Sequence, residues 1–369
     1  MLTSTDVFVI GGGPAGLAAA IAARQQGLRV VVADGAKPPI DKPCGEALMP
    51  DAIVALERLG VRLPGANAYS FRGVRFLGAG SSAEALFPSA GCGVSVRRTV
   101  LHRIMMDRAA ELGADLLWQT VVTGISGEEI RLADRTIRAK WIIGADGANS
   151  RVRRWAGLDA HSRTDFRYAF RRHYRVAPWT DCLEVYWGDR SQGYVTGVSN
   201  EQVCVALASP DSRLRMEEAL LAFPDLNARL RGAETASAER GALTANRQLK
   251  RVCWGNVALI GDASGTVDAI TGEGLGLSFS QAMALAESLR SGDLGRYQTE
   301  HRRLALLPSV MARLLLTLDG RPWLQHRTLQ VFRRQPQVFG TLLAVHIGAI
   351  SPFQLAVDGL TLGWGLLTA

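Results

Sequence analysis

The chain has 369 residues, of which 47% are hydrophobic and 21% are charged. This composition excludes a disordered chain, and the length indicates two joined domains or one large α/β enzyme. The formal charge is +8, but the arginines are scattered and form no short basic block. A solvated, arginine-rich surface is therefore expected, and no nucleic-acid partner.

Cysteine usage and apolar stretches define the class further. The five cysteines are widely spaced and include no Cys-x-x-Cys pair, so neither a disulfide framework nor a metal site is predicted. The first apolar run leads into a glycine-rich turn and not into a signal-peptide pattern, which indicates a cytoplasmic protein. The uncharged stretch 335–357 is interrupted by prolines, glycines and polar residues, so no transmembrane helix is expected.

The strongest signal is a glycine-rich turn between a strand and a helix near the N terminus. The run 6–10 is β-branched and aromatic, and the alanine-rich pattern 17–26 is helical. The turn between them is Gly11, Gly12, Gly13, Pro14, Ala15 and Gly16, which fits Gly-x-Gly-x-x-Gly. A strand, this turn and a helix in sequence are the required context of a dinucleotide site.

Each glycine of this motif has a physical role. Gly11 permits the tight turn, Gly13 lets backbone amides approach a pyrophosphate, and Gly16 lets the helix pack on the sheet. The next strand pattern, 28–33, ends at Asp34. A carboxylate there can bind both ribose hydroxyls of a dinucleotide.

Two further segments of the same kind favour FAD over NAD. Residues 141–153 form a strand followed by a polar turn, and 257–265 form another, followed by the helical run 275–289. An NAD domain needs no such element so far downstream. A flavin does, because Asp262 can bind the ribityl chain while the amides at the helix start face the isoalloxazine ring.

The sequence resembles a known flavoprotein superfamily, that of the FAD-dependent aromatic hydroxylases (group A flavin monooxygenases). The motifs that carry the resemblance are GGGPAG, GADGANSRVR and GDASG followed by TGEG. KPCGE at 42–46 and TGEG at 271–274 are more similar to its geranylgeranyl-reductase-like branch. The resemblance covers the chain from Asp6 to about Leu289. It implies FAD as cofactor and NAD(P)H as a transient electron donor.

The resemblance also implies a fold and its domains. The fold class is α/β, with a Rossmann-like FAD-binding domain, an inserted antiparallel β-sheet substrate domain and a helical C-terminal region. The FAD-binding domain is assigned to 1–65, 94–165 and 246–295, the substrate domain to 66–93 and 166–245, and the helical region to 296–369. The sheet is predicted from alternating runs with one covered face, at 69–77, 166–176, 183–187, 193–198 and 202–208.

Site residues follow from the motifs and the resemblance together. In the family, Arg98 (or its neighbour Arg97) matches a residue on the phosphate side of the flavin, and Val122 matches a strand residue whose backbone flanks adenine. The predicted cofactor-binding residues are Gly11, Gly13, Pro14, Ala15, Gly16, Asp34, Lys42, Cys44, Gly45, Arg98, Val122, Asp146, Gly147, Gly261, Asp262, Gly272, Gly274 and Leu275.

Two side chains are catalytic candidates, each with a structural alternative. The Cys44 thiol is expected to donate a proton near the flavin or to pack there, and Glu273 is an acid/base or only a helix cap. No metal ligand is predicted. Four aromatic residues either line a substrate pocket or fill the core, namely Trp179, Tyr186, Trp187 and Tyr194.

Three functions stay open. The first is an NAD(P)H- and O2-dependent monooxygenase of a hydrophobic aromatic or polyketide-like molecule, although Gly265 and Ala269 depart from the hydroxylase pattern. The second is a flavin-dependent reductase of isoprenoid double bonds, with Cys44 as proton donor. The third is a lipid carrier without flavin chemistry, against which the intact glycines argue.

The C-terminal helical patterns suggest an apolar partner. Leucines and arginines are interleaved in 302–318 and 321–334, and Pro308 is expected to start or kink the first helix. Such helices cover a core or lie on a membrane surface. With the apolar tail 341–369 and a mean hydropathy of +0.07, they indicate a hydrophobic substrate and leave peripheral contact with the inner membrane open. The sequence does not determine the oligomeric state.

Overall fold

The computed structural model describes residues 3–63, 65, 68–78, 80–160 and 165–352. Within these residues, no helix combines the length and apolarity needed to cross a bilayer. The last part of the predicted apolar tail, 353–369, lies outside the described residues.

Twenty strands and ten helices are described in this part of the chain. The strands are β1 Ser4–Ile10, β2 Val30–Asp34, β3 Ala47–Leu48, β4 Ala68–Phe71, β5 Gly73–Gly78, β6 Ser81–Leu86, β7 Gly93–Val96, β8 Asp115–Trp118, β9 Val122–Ser126, β10 Glu129–Leu132, β11 Thr136–Gly144, β12 Asp165–Arg175, β13 Leu183–Trp187, β14 Gln192–Ser199, β15 Gln202–Ser209, β16 Glu234–Thr235, β17 Arg240–Gln248, β18 Cys253–Trp254, β19 Val257–Leu259 and β20 Gly265–Thr266. The helices are α1 Pro14–Gln25, α2 Pro50–Arg58, α3 Arg98–Glu111, α4 Arg151–Trp155, α5 Met216–Leu220, α6 Pro224–Leu230, α7 Gly274–Ser291, α8 Leu294–Leu318, α9 Pro322–Arg334 and α10 Pro336–His346.

The first sheet is the predicted Rossmann-like core. Its order is β18-β19-β11-β1-β2-β8, with β10 beside β11 and β9 beside β10. Strand β1 is parallel to both β2 and β11, so Val7 pairs with Val30 on one side and Trp141 on the other. Such strands are apolar throughout because both faces of a parallel sheet are covered. The three nucleotide motifs follow β1, β11 and β19, which are neighbours, and therefore meet at one edge.

The second sheet is the predicted inserted sheet, with two differences. Its order is β20-β17-β12-β15-β14-β13-β5-β6, and all pairs are antiparallel except β5 with β13, which is parallel. The prediction of one covered face is wrong for β13, because all five residues of Leu183–Trp187 are buried. Leu183 and Val185 pack with apolar residues of α9 and α10, whereas Tyr186 packs with residues of α5 and α6.

The predicted run 69–77 is not one strand. It divides between β4, which joins β3 and β7 in a three-stranded sheet, and β5 of the large sheet. Gly73 begins β5, where a Cβ atom would lie 2.2 Å from the Ala85 carbonyl oxygen. That close approach of two backbones explains why the chain changes sheets at a glycine.

The C-terminal region is helical as predicted, in α8, α9 and α10. Pro308 lies inside the 25-residue helix α8 and does not start it, so one alternative of that prediction is wrong. The α/β fold class with its two sheets and helical end is confirmed. The boundaries between the domains stay predictions.

Candidate functional site

The turn before α1 is built by close backbone approach. A Cβ atom on Gly11, whose φ is +112°, would lie 2.3 Å from the Ala145 oxygen. One on Gly16 would lie 1.9 Å from the Gly11 oxygen. Helix α1 begins at Pro14, and no side chain caps it among the described residues. Its first N–H groups therefore point outward with the positive end of the helix dipole, which is an anion site.

Asp34 lies beside this helix end. Its carboxylate accepts hydrogen bonds from the Gly12 N–H at 2.7 Å and the Ala36 N–H at 2.8 Å. The segment before Val122 runs next to it, since the Thr120 N–H donates to the Asp34 carbonyl at 2.9 Å. The predicted ribose ligand and the predicted adenine-flanking strand are thus neighbours.

A cleft of about 310 Å³ brings most of the predicted cofactor residues together, within the size range of small-molecule sites. The predicted residues that line it are Gly13, Pro14, Ala15, Lys42, Cys44, Gly45, Arg98, Gly147, Gly261, Asp262, Gly272, Gly274 and Leu275. The opposite wall comes from the large sheet and is mostly apolar, with Ala169, Phe170, Leu183, Tyr194, Ala206, Leu207, Ala208, Ala242 and Leu243.

A second helix also begins at this cleft without a cap. Helix α7 starts at Gly274, and among the described residues no side chain bonds to its first N–H groups. Burial raises the pKa of Asp262, while Lys42 and Arg98 oppose that shift. The Arg98 Nε is buried and has no protein partner in the described part of the chain. The cleft therefore offers two uncapped helix starts, a carboxylate and an unpaired guanidinium nitrogen. These groups suit a dinucleotide that carries a diphosphate and a polar ring.

Beside Cys44 lies a buried hydrogen bond between a carboxylate and an imidazole that the sequence did not reveal. Glu46 and His173 are joined by a 2.6 Å contact between Oε2 and Nε2, and both side chains are buried. The other Glu46 oxygen accepts from the Arg98 N–H at 2.9 Å. Glu46 itself has a φ of +62°, a conformation that costs free energy in a residue with a Cβ. Contacts at both carboxylate oxygens hold it there.

Arg171 sets the tautomer of His173. Its Nη1 lies 3.0 Å from the His173 Nδ1, and a guanidinium only donates, so Nδ1 is the acceptor. The Nε2 therefore carries the proton and donates to Glu46. The Ser237 hydroxyl also lies 2.8 Å from Nδ1. Ser237, His173 and Glu46 thus form one hydrogen-bonded chain that ends at a residue lining the cleft.

The Cys44 sulfur is positioned by the same loop. It accepts the Glu46 N–H at 3.3 Å, and the Cys204 thiol donates to the Cys44 carbonyl at 3.7 Å. Burial raises the pKa of Cys204 well above its ordinary value, so it stays protonated. Of these two thiols, Cys44 is the one that lines the cleft.

Comparison with known proteins identifies the family. A family model described as an FAD binding domain matches residues 4–292. The chain belongs to this FAD-binding family. Menaquinone reductase of Mycobacterium tuberculosis is 30% identical over 335 residues, which cover 84% of this chain and 80% of that protein. Digeranylgeranylglycerophospholipid reductase 1 of Methanothermobacter thermautotrophicus is 29% identical over 338 residues, with coverages of 82% and 83%.

A solved structure confirms the fold of this FAD-binding protein. It is that of a "probable FAD-dependent monooxygenase" from Pseudomonas aeruginosa, which superposes with a TM-score of 0.73 at 21% identity. The match covers 87% of this chain and 98% of that one. The family match and the two relatives confirm the resemblance inferred from the motifs, and the chain is an FAD-dependent oxidoreductase.

Six predicted residues of the FAD-binding protein do not line the cleft, namely Gly11, Gly16, Asp34, Val122, Asp146 and Glu273. The last two are held elsewhere by other contacts. The Asp146 carboxylate accepts from the Ser150 hydroxyl at 2.5 Å and the Arg151 N–H at 2.6 Å, and so holds the start of α4. Glu273 is buried behind the start of α7, with Oε1 3.6 Å from the His346 Nδ1. Neither side chain lines the cleft, so direct FAD contact by Asp146 and catalysis by Glu273 stay predictions.

The four aromatic candidates also differ in whether they line the cleft. Tyr194 lines the cleft. Tyr186 and Trp187 are buried in the packing of the large sheet, and the Trp179 indole donates to Glu184 at 2.8 Å. For Tyr186 and Trp187 the core alternative holds, because helices cover both faces of β13. Trp179 is half-buried and does not line the cleft.

The buried position of Glu273 predicts a pH dependence of stability. Burial raises its pKa to about 8, with help from the Asp51 carboxyl, whose own pKa burial raises to about 6. Burial lowers the pKa of His346 from 6.5 to about 4. A carboxyl with a raised folded pKa binds its proton more tightly in the native state, so its contribution to stability declines as pH rises toward that pKa. Between pH 6.5 and 8, Glu273 accounts for most of the titration of these three groups.

We therefore expect the free energy of unfolding to fall by about 2 kcal/mol more in the wild type than in Glu273→Gln between pH 6.5 and 8. Urea unfolding of the FAD-free protein at several pH values measures this difference. If the free energy of unfolding changes equally with pH in the two proteins, Glu273 is ionised throughout this range.

Proposed function

We propose that this flavoprotein is a reductase that adds two hydrogens across a carbon–carbon double bond of a hydrophobic isoprenoid lipid. The observation that carries the proposal is the Cys44 thiol in the cleft, next to the chain Ser237–His173–Glu46. Adding hydrogen to an alkene requires a proton donor as well as a hydride donor. A hydroxylation at an electron-rich ring requires no such side chain, which is why we place the monooxygenase second.

The relatives support the same substrate class. One is named for menaquinone and another for digeranylgeranylglycerophospholipid, and both molecules carry polyprenyl chains. In this chain, the sheet wall of the cleft is mostly apolar, which suits a hydrocarbon tail.

In the proposed reaction, different residues of the chain would bind the cofactor, exclude water and donate the proton. FAD bound in the cleft would supply the hydride once reduced, and NAD(P)H is the proposed source of the electrons. The starts of α1 and α7 with Asp34, Arg98 and Asp262 would hold the cofactor, and the sheet wall would exclude water. The Cys44 S–H bond breaks as the proton passes to the second alkene carbon, which leaves a thiolate. The Glu46 N–H directed at the sulfur stabilises that charge, and a proton from solvent restores the thiol.

Anaerobic turnover tests the proposal. We expect the pre-reduced protein to convert a polyprenyl lipid to a product two hydrogens heavier without oxygen, as seen by mass spectrometry. Cys44→Ala should lower the rate by about 100-fold or more, the usual contribution of a general acid. Cys92→Ala, which removes an exposed thiol, is the matched control.

The opposite outcome is equally specific. Oxygen consumption in step with a hydroxylated product, and no anaerobic product, would establish the monooxygenase instead. A purified protein that takes up no FAD would leave only the lipid carrier. An unchanged anaerobic rate in Cys44→Ala would remove the thiol from the mechanism and leave the reductase to be supplied with protons by another group.

A further inference from the structure

The outward face of α8 carries an apolar stripe. Leu306, Val310 and Leu314 are 66%, 43% and 50% exposed, respectively. Their spacing of four residues places them along one side of the helix. Tyr297, His301 and Pro308 lie on the opposite side and are buried against the protein. Large aliphatic side chains in a row on a surface helix are a feature of binding surfaces.

Cations flank this stripe. The segment 294–334 contains eight arginines against one aspartate and one glutamate, so it carries most of the net charge of the chain. Arg302, Arg303 and Arg313 are exposed and border the apolar residues on the helix surface. The Arg321 Nη1 donates to the Thr317 carbonyl at 2.9 Å, which brings another cation to the last turn of the same face.

An aromatic residue extends the surface at the start of α9. Trp323 is 61% exposed, and the Arg327 guanidinium carbon lies 5.9 Å from its ring. An indole beside arginines is suited to the boundary between lipid headgroups and acyl chains. Aliphatic residues, a tryptophan and flanking arginines together are the composition of helices that lie in a membrane interface.

We infer that the outward face of α8 and the start of α9 form a docking surface for an anionic lipid bilayer. The positive charge selects anionic headgroups, and the apolar stripe distinguishes a bilayer from a nucleic acid, which would give Leu306 and Leu314 no partner. This inference rests on the proposed function, because an enzyme that reduces a lipid must reach its substrate in a membrane. Helix α8 also packs on the turn Ala269–Thr271, directly before Gly272 at the edge of the cleft.

Vesicle flotation of the FAD-loaded protein tests the surface. We expect binding to phosphatidylcholine vesicles that contain phosphatidylglycerol, weak binding to phosphatidylcholine alone, and loss of binding at high salt. Arg302→Gln with Arg313→Gln should weaken binding about fivefold for each arginine removed. Leu306→Ser with Leu314→Ser should weaken it by at least about tenfold.

A control pair of similar exposure is available elsewhere. Leu221→Ser with Trp254→Ser changes side chains that are 69% and 61% exposed but lie outside α8 and α9, and it should leave vesicle binding unchanged. Equal loss in the control pair, or binding that survives both α8 variants, would overturn the inference. Loss of vesicle binding on removal of residues 353–369 alone would also overturn the inference.

The rate of lipid reduction tests this inference separately from the proposed function. The α8 variants should keep the wild-type rate on lipid dispersed in detergent and lose rate only on lipid in vesicles. A wild type that binds vesicles but reduces no lipid would refute the proposed function and leave the docking surface standing.

Discussion

Gly13→Ala is expected to lose FAD while the polypeptide remains folded. Gly13 has a φ of −69°, which any residue adopts, and a Cβ there would meet no protein atom within 4 Å. That open space is the cleft at the uncapped start of α1, where the pyrophosphate is expected. Loss of one charge-assisted hydrogen bond costs about 1.5–3 kcal/mol, which weakens FAD binding roughly 10- to 150-fold. Titration of FAD into the apoprotein, followed by flavin fluorescence, measures the change.

Gly16→Ala is the matched comparison. Its Cβ would lie 1.9 Å from the Gly11 oxygen, which is backbone and cannot move aside cheaply. This variant should lower the Tm of the FAD-free protein, whereas Gly13→Ala should not. If Gly13→Ala binds FAD as tightly as the wild type, the start of α1 does not hold the pyrophosphate.

His173→Ala is expected to destabilise the protein by about 3–5 kcal/mol, because it leaves the Glu46 carboxylate buried without its charge-assisted partner. Glu46 and His173 are both buried and lie 2.6 Å apart, so water cannot readily replace the imidazole. Urea unfolding of the FAD-free protein at neutral pH measures the loss.

A double-mutant cycle identifies the cause. Adding Glu46→Gln to His173→Ala removes the buried charge and should recover part of the lost stability. His173→Gln, which keeps a donor toward Glu46, should lose less than His173→Ala. If Glu46→Gln recovers nothing in the His173→Ala background, the loss comes from the cavity and not from the unpaired carboxylate.

The nucleotide-binding half could be predicted from the sequence because its signals are local. A strand, a glycine turn and the following helix lie within about twenty residues, and the geometry of that unit requires glycine where backbones touch, as at Gly11 and Gly16. Parallel strands buried on both faces also read as continuous apolar runs. Three such units were therefore sufficient to indicate FAD, and the structure brings their turns to one edge of one sheet.

The buried polar residues of the site could not be predicted without the tertiary structure. Arg167, Arg171 and His173 alternate along β12, a pattern that by itself is typical of a strand face turned to solvent. All three are buried, because their partners come from distant segments: Asp268 for Arg167, Asp41 for Arg171 and Glu46 for His173.

Contiguous residues were enough to predict the cofactor, the α/β core and Cys44 as a candidate. Contacts between distant segments were needed to show that His173 binds Glu46, and that Tyr194, unlike Tyr186 and Trp187, lines the cleft. The physical reason is that burial of a charge or an aromatic ring depends on what packs against it. A period of two shows which residues share a face of a strand, but not what covers that face.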